Sequence, residues 1–77
     1  MEIKYSKQAE KFLNAQPSHI SERIRSGIRK LPDGDVVKLQ GTTGYRLRIG
    51  SYRILFDRVG YIIFISRIDN RGQVYKK

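Results

Sequence analysis

YRLRIGSYRILF, residues 45–56, is the stretch that decides the fold of this chain. Apolar residues alternate with mostly basic ones on both sides of Gly50-Ser51. Such alternation is typical of half-buried strands, and two residues beginning with glycine suit the turn that joins a hairpin. The stretch therefore predicts two antiparallel strands in direct succession.

The predicted hairpin has an apolar face and a basic face, because side chains alternate between the two sides of a strand. Pairing across Gly50-Ser51 places Arg48 opposite Arg53 and Arg46 opposite Leu55, with the three arginines on one face. Like charges on neighbouring strands destabilise a sheet, and such a conflict is expected where a function requires it. Arginine binds phosphate through two parallel hydrogen bonds and stays charged at any working pH. We expect a polyanion-binding face; the alternative is a sheet surface kept soluble by charge.

The residues before the hairpin have a different period. Residues 2–5 alternate and predict a short first strand, after which Ser6 is placed to cap a helix over residues 7–15. Pro17 ends that helix, and Ser18 is placed to cap a second one. The apolar stripe of the second helix consists of Ile20, Ile24, Ile28 and Leu31. Gly27 within it predicts a close approach to another element, since glycine weakens a helix interior.

A turn at residues 32–35 leads to a short strand at 36–40, and a final strand covers 61–68. We expect an α+β fold: an N-terminal strand, a helical hairpin covering one face, and an antiparallel sheet of three to four strands, in one domain over 1–77. A second turn at Val59-Gly60 would pair Arg53 with Ser66 and Leu55 with Phe64. The basic face would then also hold these side chains: Leu55, Asp57, Ile62, Phe64 and Ile68.

Composition narrows the function further. The net charge is +9; residues 1–37 contribute seven basic and five acidic side chains, and residues 38–77 nine and two. This excess favours a polyanionic partner, nucleic acid first and an acidic protein second. There is no cysteine to form a disulfide or a thiolate metal site, and no apolar run long enough to span a membrane. The N-terminus is charged and unlike a signal peptide, so we expect a cytoplasmic protein without membrane contact.

Residues 38–77 resemble the second half of the RelE/ParE toxin superfamily. The similar features are L-x-G before the hairpin, YRLRIG-x-YRILF, a hydrophobic strand and a closing R-x-x-VY, while the first half matches only in layout. The superfamily comprises the toxic halves of bacterial and archaeal toxin–antitoxin modules. The resemblance implies a small sheet backed by two helices, a cognate antitoxin, and a toxin that cuts mRNA in the ribosomal A site.

The resemblance also implies a set of site residues. The predicted catalytic group is Arg46, Arg48, Arg53, Arg71 and Tyr75. Further basic residues are predicted RNA contacts: Lys38, Arg67, Lys76 and Lys77. Asp69 stands where some members have another arginine, a departure from the full basic pattern.

The chemistry predicted for these residues is electrostatic. Cleavage by attack of a ribose 2′-hydroxyl needs stabilisation of the phosphorane, which arginines can supply. The usual acids and bases are scarce: His19 lies away from the hairpin, and Asp57 and Asp69 are expected to balance neighbouring arginines. No His/Asp/Glu cluster has metal-ligand spacing, so we expect neither a metal nor another cofactor. The predicted enzyme is a metal-independent endoribonuclease that needs the ribosome to orient its substrate.

Two alternatives remain open at this stage. ParE-type members share the fold and inhibit DNA gyrase by binding it, without nuclease activity. A degenerate relative would bind only nucleic acid or a protein partner. The arginine pattern and the terminal tyrosine favour the ribosome-dependent nuclease.

Overall fold

The computed structural model describes residues 2–41 and 44–70, which form a sheet of five strands and two helices. The elements are, in chain order, β1 (Glu2–Tyr5), α1 (Lys7–Asn14), α2 (Ser18–Arg29), β2 (Asp35–Lys38), β3 (Tyr45–Ile49), β4 (Tyr52–Val59) and β5 (Ile62–Asn70). The predicted α+β order is confirmed. β2 to β5 form an antiparallel meander, and β1 adds a parallel edge strand beside β5, which gives the order β1-β5-β4-β3-β2. Within the described ranges, neither helix is long and apolar enough to cross a lipid bilayer.

The two helices begin in different ways. The Ser6 hydroxyl accepts a hydrogen bond from the Ala9 N–H at 3.1 Å, which is the predicted cap of α1. The predicted cap of α2 by Ser18 is wrong, because the N-cap is Pro17 and no side chain caps this helix. The Pro17 carbonyl accepts the first helical bonds from Ile20 and Ser21, so Ser18 is already the first helical residue.

The core lies between the helical pair and one face of the sheet. Its helical half consists of Ala9, Leu13, Ile24, Ile28 and Leu31. The last three of these belong to the apolar stripe predicted for the second helix, and Ile20, the first residue of that stripe, is partly buried. The sheet half consists of Leu47, Ile54, Phe56, Ile63, Ile65 and Ile68. Gly27 allows α2 to approach β3, since a Cβ at that position would lie 3.0 Å from Ile49 Cγ1. The close approach predicted at Gly27 is therefore confirmed.

The first hairpin has the predicted register, and the second does not. Arg48 lies opposite Arg53, and Arg46 lies opposite Leu55. The β4–β5 turn is Gly60-Tyr61 rather than Val59-Gly60, so Arg53 faces Asp69 instead of Ser66. Gly50 and Gly60 both have a φ of +58°, and each is the first residue of its turn. A positive φ at that position is the geometry that favours glycine in such hairpins.

A β-bulge in β5 shifts the second register further. Phe56 pairs with Ile65 and Leu55 with Arg67, which leaves Ser66 as an extra residue. The extra residue reverses the alternation that follows it, so Arg67 joins the face away from the helices while Ile68 enters the core. Ile68 was predicted on the basic face; it is fully buried, and that prediction is wrong.

Side chains from the start of α1 hold β5 beyond the bulge. β1 ends at Tyr5, opposite Ile65. The Ser6 hydroxyl donates to the Ser66 carbonyl at 2.9 Å. The Gln8 amide then donates to the Ile68 carbonyl and accepts from the Ile68 N–H, both at 3.0 Å. These groups continue the hydrogen bonding of β5 where β1 stops, which fixes the direction of the last residues of the strand.

Candidate functional site

The sheet face that the helices leave uncovered, here called the open face, carries a row of four charged residues across four strands. Asp35 pairs with Arg48, Arg48 with Arg53, and Arg53 with Asp69. Paired residues of antiparallel strands point to the same side. The row therefore reads acid, base, base, acid from β2 to β5, and we call it the charged row.

The acid at the β5 end of the charged row offsets part of the repulsion between its arginines. Asp69 Oδ2 accepts hydrogen bonds from Arg67 Nε at 3.1 Å and from Arg53 Nη2 at 3.5 Å. The Asp69 side chain is 22% exposed, which places this ion-pair network partly out of water. The expectation that Asp69 balances neighbouring arginines is confirmed. Asp35 was not foreseen, because the sequence alone does not show which residue of β2 lies opposite Arg48.

A second row, next to the charged row, has two more arginines. Val37, Arg46, Leu55 and Arg67 are paired in this order from β2 to β5. Within residues 2–41 and 44–70, neither Arg46 nor Arg48 forms an ion pair. The Nε atoms of Arg46 and Arg53 are buried and have no hydrogen-bond partner in the described part of the chain. Unsatisfied donors of this kind cost stability, and an anion that accepts their hydrogen bonds would recover it.

The structure brings some of the predicted site residues together and not others. Arg46, Arg48, Arg53 and Arg67 share the open face. Lys38 pairs with Tyr45, whose ring stacks on the core residue Phe56, so Lys38 belongs to the opposite face. The remaining predicted residues lie outside the described ranges: Arg71, Tyr75, Lys76 and Lys77.

Acid–base and metal-binding groups are few near the arginines. His19 is exposed at the start of α2, on the helical side of the molecule. Asp57 lies on the open face, as the period of β4 predicts, and is opposite Phe64. The prediction that it balances a neighbouring arginine is wrong, because it forms no ion pair with any of the residues that the structure describes. Across the residues that the structure describes, no group of three or more His, Cys, Asp or Glu side chains could hold a metal ion. The open face therefore offers positive charge and hydrogen-bond donors as its main chemical resource.

A cleft of about 490 Å³ adjoins the charged row at its β2 end. Its charged lining residues come from α2 and its C-cap, from the turn before β2, from β2 and from β3: Arg23, Lys30, Asp33, Asp35 and Arg48. Arg48 thus belongs both to the cleft and to the open face. The cleft depends on the distance between α2 and the hairpin, which Gly27 sets, and no local sequence pattern indicates it.

The sequence and the structure of this chain are similar to those of known toxins. No protein-family model matches the chain. Toxin RelE3 of Methanocaldococcus jannaschii is 30% identical over an alignment of 84 positions, which covers 97% of this chain and 96% of that protein.

Solved structures give the same picture. A chain of the RelB–RelE antitoxin–toxin complex from Methanococcus jannaschii is 29% identical, with 94% of both chains covered and a TM-score of 0.74. A chain of the archaeal RelE–RelB complex from Pyrococcus horikoshii OT3 is 30% identical, with 94% of this chain and 96% of that chain covered and a TM-score of 0.71. The toxin–antitoxin complex RelBE2 of Mycobacterium tuberculosis shares the fold, with a TM-score of 0.70 at 19% identity. Because the sequence likeness extends over nearly the whole chain and the fold agrees with it, this chain belongs to the RelE family of toxins.

Proposed function

We propose that this chain is the toxin of a toxin–antitoxin module and that it cleaves mRNA in the A site of the ribosome. The observation that carries the proposal is the group of four arginines on the open face, two of which have buried Nε donors without a partner in the described residues. RelE-family membership supports the same assignment.

The proposed reaction is an internal transfer at phosphorus. The 2′-hydroxyl of a ribose loses its proton to solvent as its oxygen attacks the adjacent phosphorus. The bond to the 5′-oxygen of the next nucleotide breaks, and that oxygen takes up a proton from solvent. The products are a 2′,3′-cyclic phosphate and a free 5′-hydroxyl. Negative charge on the phosphate oxygens increases in the transition state, and Arg46, Arg48 and Arg53 would stabilise it. Arg71 and Tyr75, which the family resemblance adds, would complete the group.

The ribosome has a defined part in this proposal. The open face contains no histidine within its described strands, so a strong general base is not at hand there. Catalysis then depends on holding the RNA in line for attack, which converts binding energy into rate. We expect efficient cleavage of mRNA on the ribosome and little cleavage of free RNA.

A cognate antitoxin is the second proposed partner. Two relatives of 29% and 30% identity were solved as complexes of RelE with RelB. The net charge of +9 favours an acidic partner that neutralises the arginines. We place both proteins in the cytoplasm, where ribosomes translate the message.

The test is a translation reaction with a defined mRNA, in which breaks are mapped by primer extension. Wild-type toxin is expected to produce breaks at A-site codons, and Arg53→Ala is expected to abolish them. Arg53→Lys keeps the charge but loses the planar fork, so it is expected to cleave much more slowly. Arg29→Ala is the matched control, because it removes an arginine on α2 that pairs with Glu22 at 3.6 Å, away from the open face.

Other outcomes would reassign the protein. Inhibition of gyrase supercoiling with an intact message would indicate the ParE-type activity. Binding to RNA without breaks or gyrase inhibition would indicate a relative that only binds. The ion pairs of Asp69 with Arg53 and Arg67 favour this last candidate, since they engage two of the four arginines.

A further inference from the structure

We propose that Phe64 is a stacking platform for one unpaired base of the RNA strand that the arginines hold. The proposal rests on the proposed function and assigns the open face a second subsite, for a nucleobase rather than a phosphate. Phe64 is an exception among the phenylalanines of this chain. Phe12 and Phe56 pack in or against the core, whereas Phe64 is 41% exposed on the open face of β5.

The surroundings of Phe64 leave its ring accessible. In the sheet it lies between Lys4 of β1 and Asp57 of β4. Among the described residues it makes no ring–ring contact, unlike Phe12, which meets Tyr52, and Phe56, which stacks on Tyr45. Lys4 is paired with Glu2 at 3.5 Å, and both side chains are more than half exposed. The ring is thus flanked by polar side chains that do not cover it.

The position of Phe64 fits a strand of RNA that continues past the arginines. Asp57 lies four residues after Arg53 on β4, and Phe64 lies opposite Asp57 on the neighbouring strand β5. With ~3.3 Å per residue and ~4.8 Å between strands, the Cα atoms are about 14 Å apart. Arg67 lies between them, opposite Leu55. A phosphate on Arg53 or Arg67 would therefore leave the base of a neighbouring nucleotide within reach of the ring.

The arginines of the open face, rather than the charges next to the ring, favour RNA over a protein segment as the ligand of Phe64. Proteins bind single strands by combining cationic grooves with exposed aromatic rings, and each stacked base contributes ~1–3 kcal/mol. Beside the ring the charges are mixed, because Lys4 pairs with Glu2 and Asp57 lies on the other side. Arg53 and Arg67 lie further along the same face, where they can hold the phosphates of a strand that reaches the ring. Ile62 and Val59 are also exposed, at 37% and 74%, and could instead form an apolar patch with Phe64 that binds a protein. The two ligands differ in what they require of position 64. A base needs an aromatic ring there, whereas an apolar protein segment needs only exposed apolar surface.

The experiment measures the affinity of the toxin for a fluorescent single-stranded oligoribonucleotide by anisotropy at fixed low salt. Phe64→Leu keeps the apolar bulk and removes the ring; we expect it to weaken binding ~5- to 150-fold, the equivalent of one stacked base. Phe64→Tyr is expected to bind as the wild type does. Ile62→Ala is the matched control: it lies two positions away on the same face with similar exposure, and its affinity is expected to be unchanged.

An oligonucleotide of abasic residues provides a second arm. Its phosphates are intact, so wild type and Phe64→Leu should bind it equally if the ring contacts a base. Thermal unfolding of each variant shows that the fold is kept. The proposal is overturned if the wild type does not bind the oligonucleotide, if the abasic strand still distinguishes the variants, or if Ile62→Ala weakens binding as much as Phe64→Leu. It is also overturned if Phe64→Leu weakens only the complex with the antitoxin.

The same samples separate this proposal from the proposed function. If wild-type toxin fails to cut ribosome-bound mRNA while Phe64→Leu still loses RNA affinity, the nuclease assignment fails and the stacking site stands. If the wild type cuts and Phe64→Leu binds RNA normally, the stacking site alone fails.

Discussion

Replacement of Gln8 by methionine is expected to loosen the end of β5 that carries Arg67 and Asp69. The Gln8 side-chain amide makes two hydrogen bonds to Ile68, one to its carbonyl and one from its N–H, each at 3.0 Å. Methionine has nearly the same length and helix propensity as glutamine but can form neither bond. In Gln8→Met both backbone groups of Ile68 lose their partner in α1.

The magnitude follows from the number and burial of these bonds. A typical internal hydrogen bond contributes ~0.5–1.5 kcal/mol, and a buried backbone group left without a partner costs ~1–3 kcal/mol. The site is partly buried, so water can satisfy some of what is lost. We expect Gln8→Met to lower the free energy of unfolding by about 2 kcal/mol. At ~4–8 °C per kcal/mol for a domain of this size, Tm falls by ~8–16 °C.

Urea unfolding followed by circular dichroism measures this loss, and hydrogen exchange at the Ile68 amide locates it. Gln8→Glu keeps an acceptor for the Ile68 N–H but has no donor for the carbonyl, so its loss should be about half as large. Lys7→Met is the control: Lys7 is the exposed neighbour in the same turn, and its replacement should change stability by less than ~0.5 kcal/mol. A loss below ~0.5 kcal/mol for Gln8→Met, or an equal loss for Lys7→Met, would refute the reasoning.

Three further predictions test the register, the helix contact and the charges of the site. Ile68→Ala should lower the free energy of unfolding by ~2–5 kcal/mol, because it leaves a cavity in the core. Ile62 is 37% exposed, so Ile62→Ala should lower it by less than ~1 kcal/mol in the same urea titration. Similar losses for the two variants would contradict the position of the bulge. Gly27→Ala should destabilise the wild type through overlap with Ile49, but stabilise an Ile49→Ala background by up to ~1 kcal/mol, because alanine lacks both of the side-chain atoms that a Cβ at position 27 would meet, Cγ1 and Cδ1. The same sign in both backgrounds would contradict the close approach. Asp69→Asn should raise the affinity of the toxin for single-stranded RNA, because one more cation becomes available to phosphate. The slope of log Kobs against log salt concentration should then become steeper by ~0.7. An unchanged slope would mean that the carboxylate does not compete with RNA.

Local signals account for the parts of the site that were predicted correctly. Alternation on both sides of Gly50-Ser51 is enough to set the β3–β4 register, because a two-residue turn leaves no freedom in the pairing. That register alone places three arginines on one face. Gly60 corresponds to Gly50: in both hairpins a glycine with positive φ is the first residue of a two-residue turn. The rule that glycine comes first in such a turn predicts the second turn at Gly60-Tyr61 correctly, but it does not predict the bulge.

By itself, therefore, the sequence determined the order of the elements, the apolar stripe of α2 and the basic face of the first hairpin, all of which depend on residues close together in the chain. Only the tertiary structure decided that Asp69 and Arg67 join this face and that Ile68 leaves it. The reason is the extra residue in β5, which a period-two pattern cannot reveal. The carbonyl of this residue, Ser66, accepts a hydrogen bond from Ser6, and the carbonyl of Ile68 accepts one from Gln8. Each donor is 60 residues away from its acceptor, and such distant contacts exist only once the chain is folded.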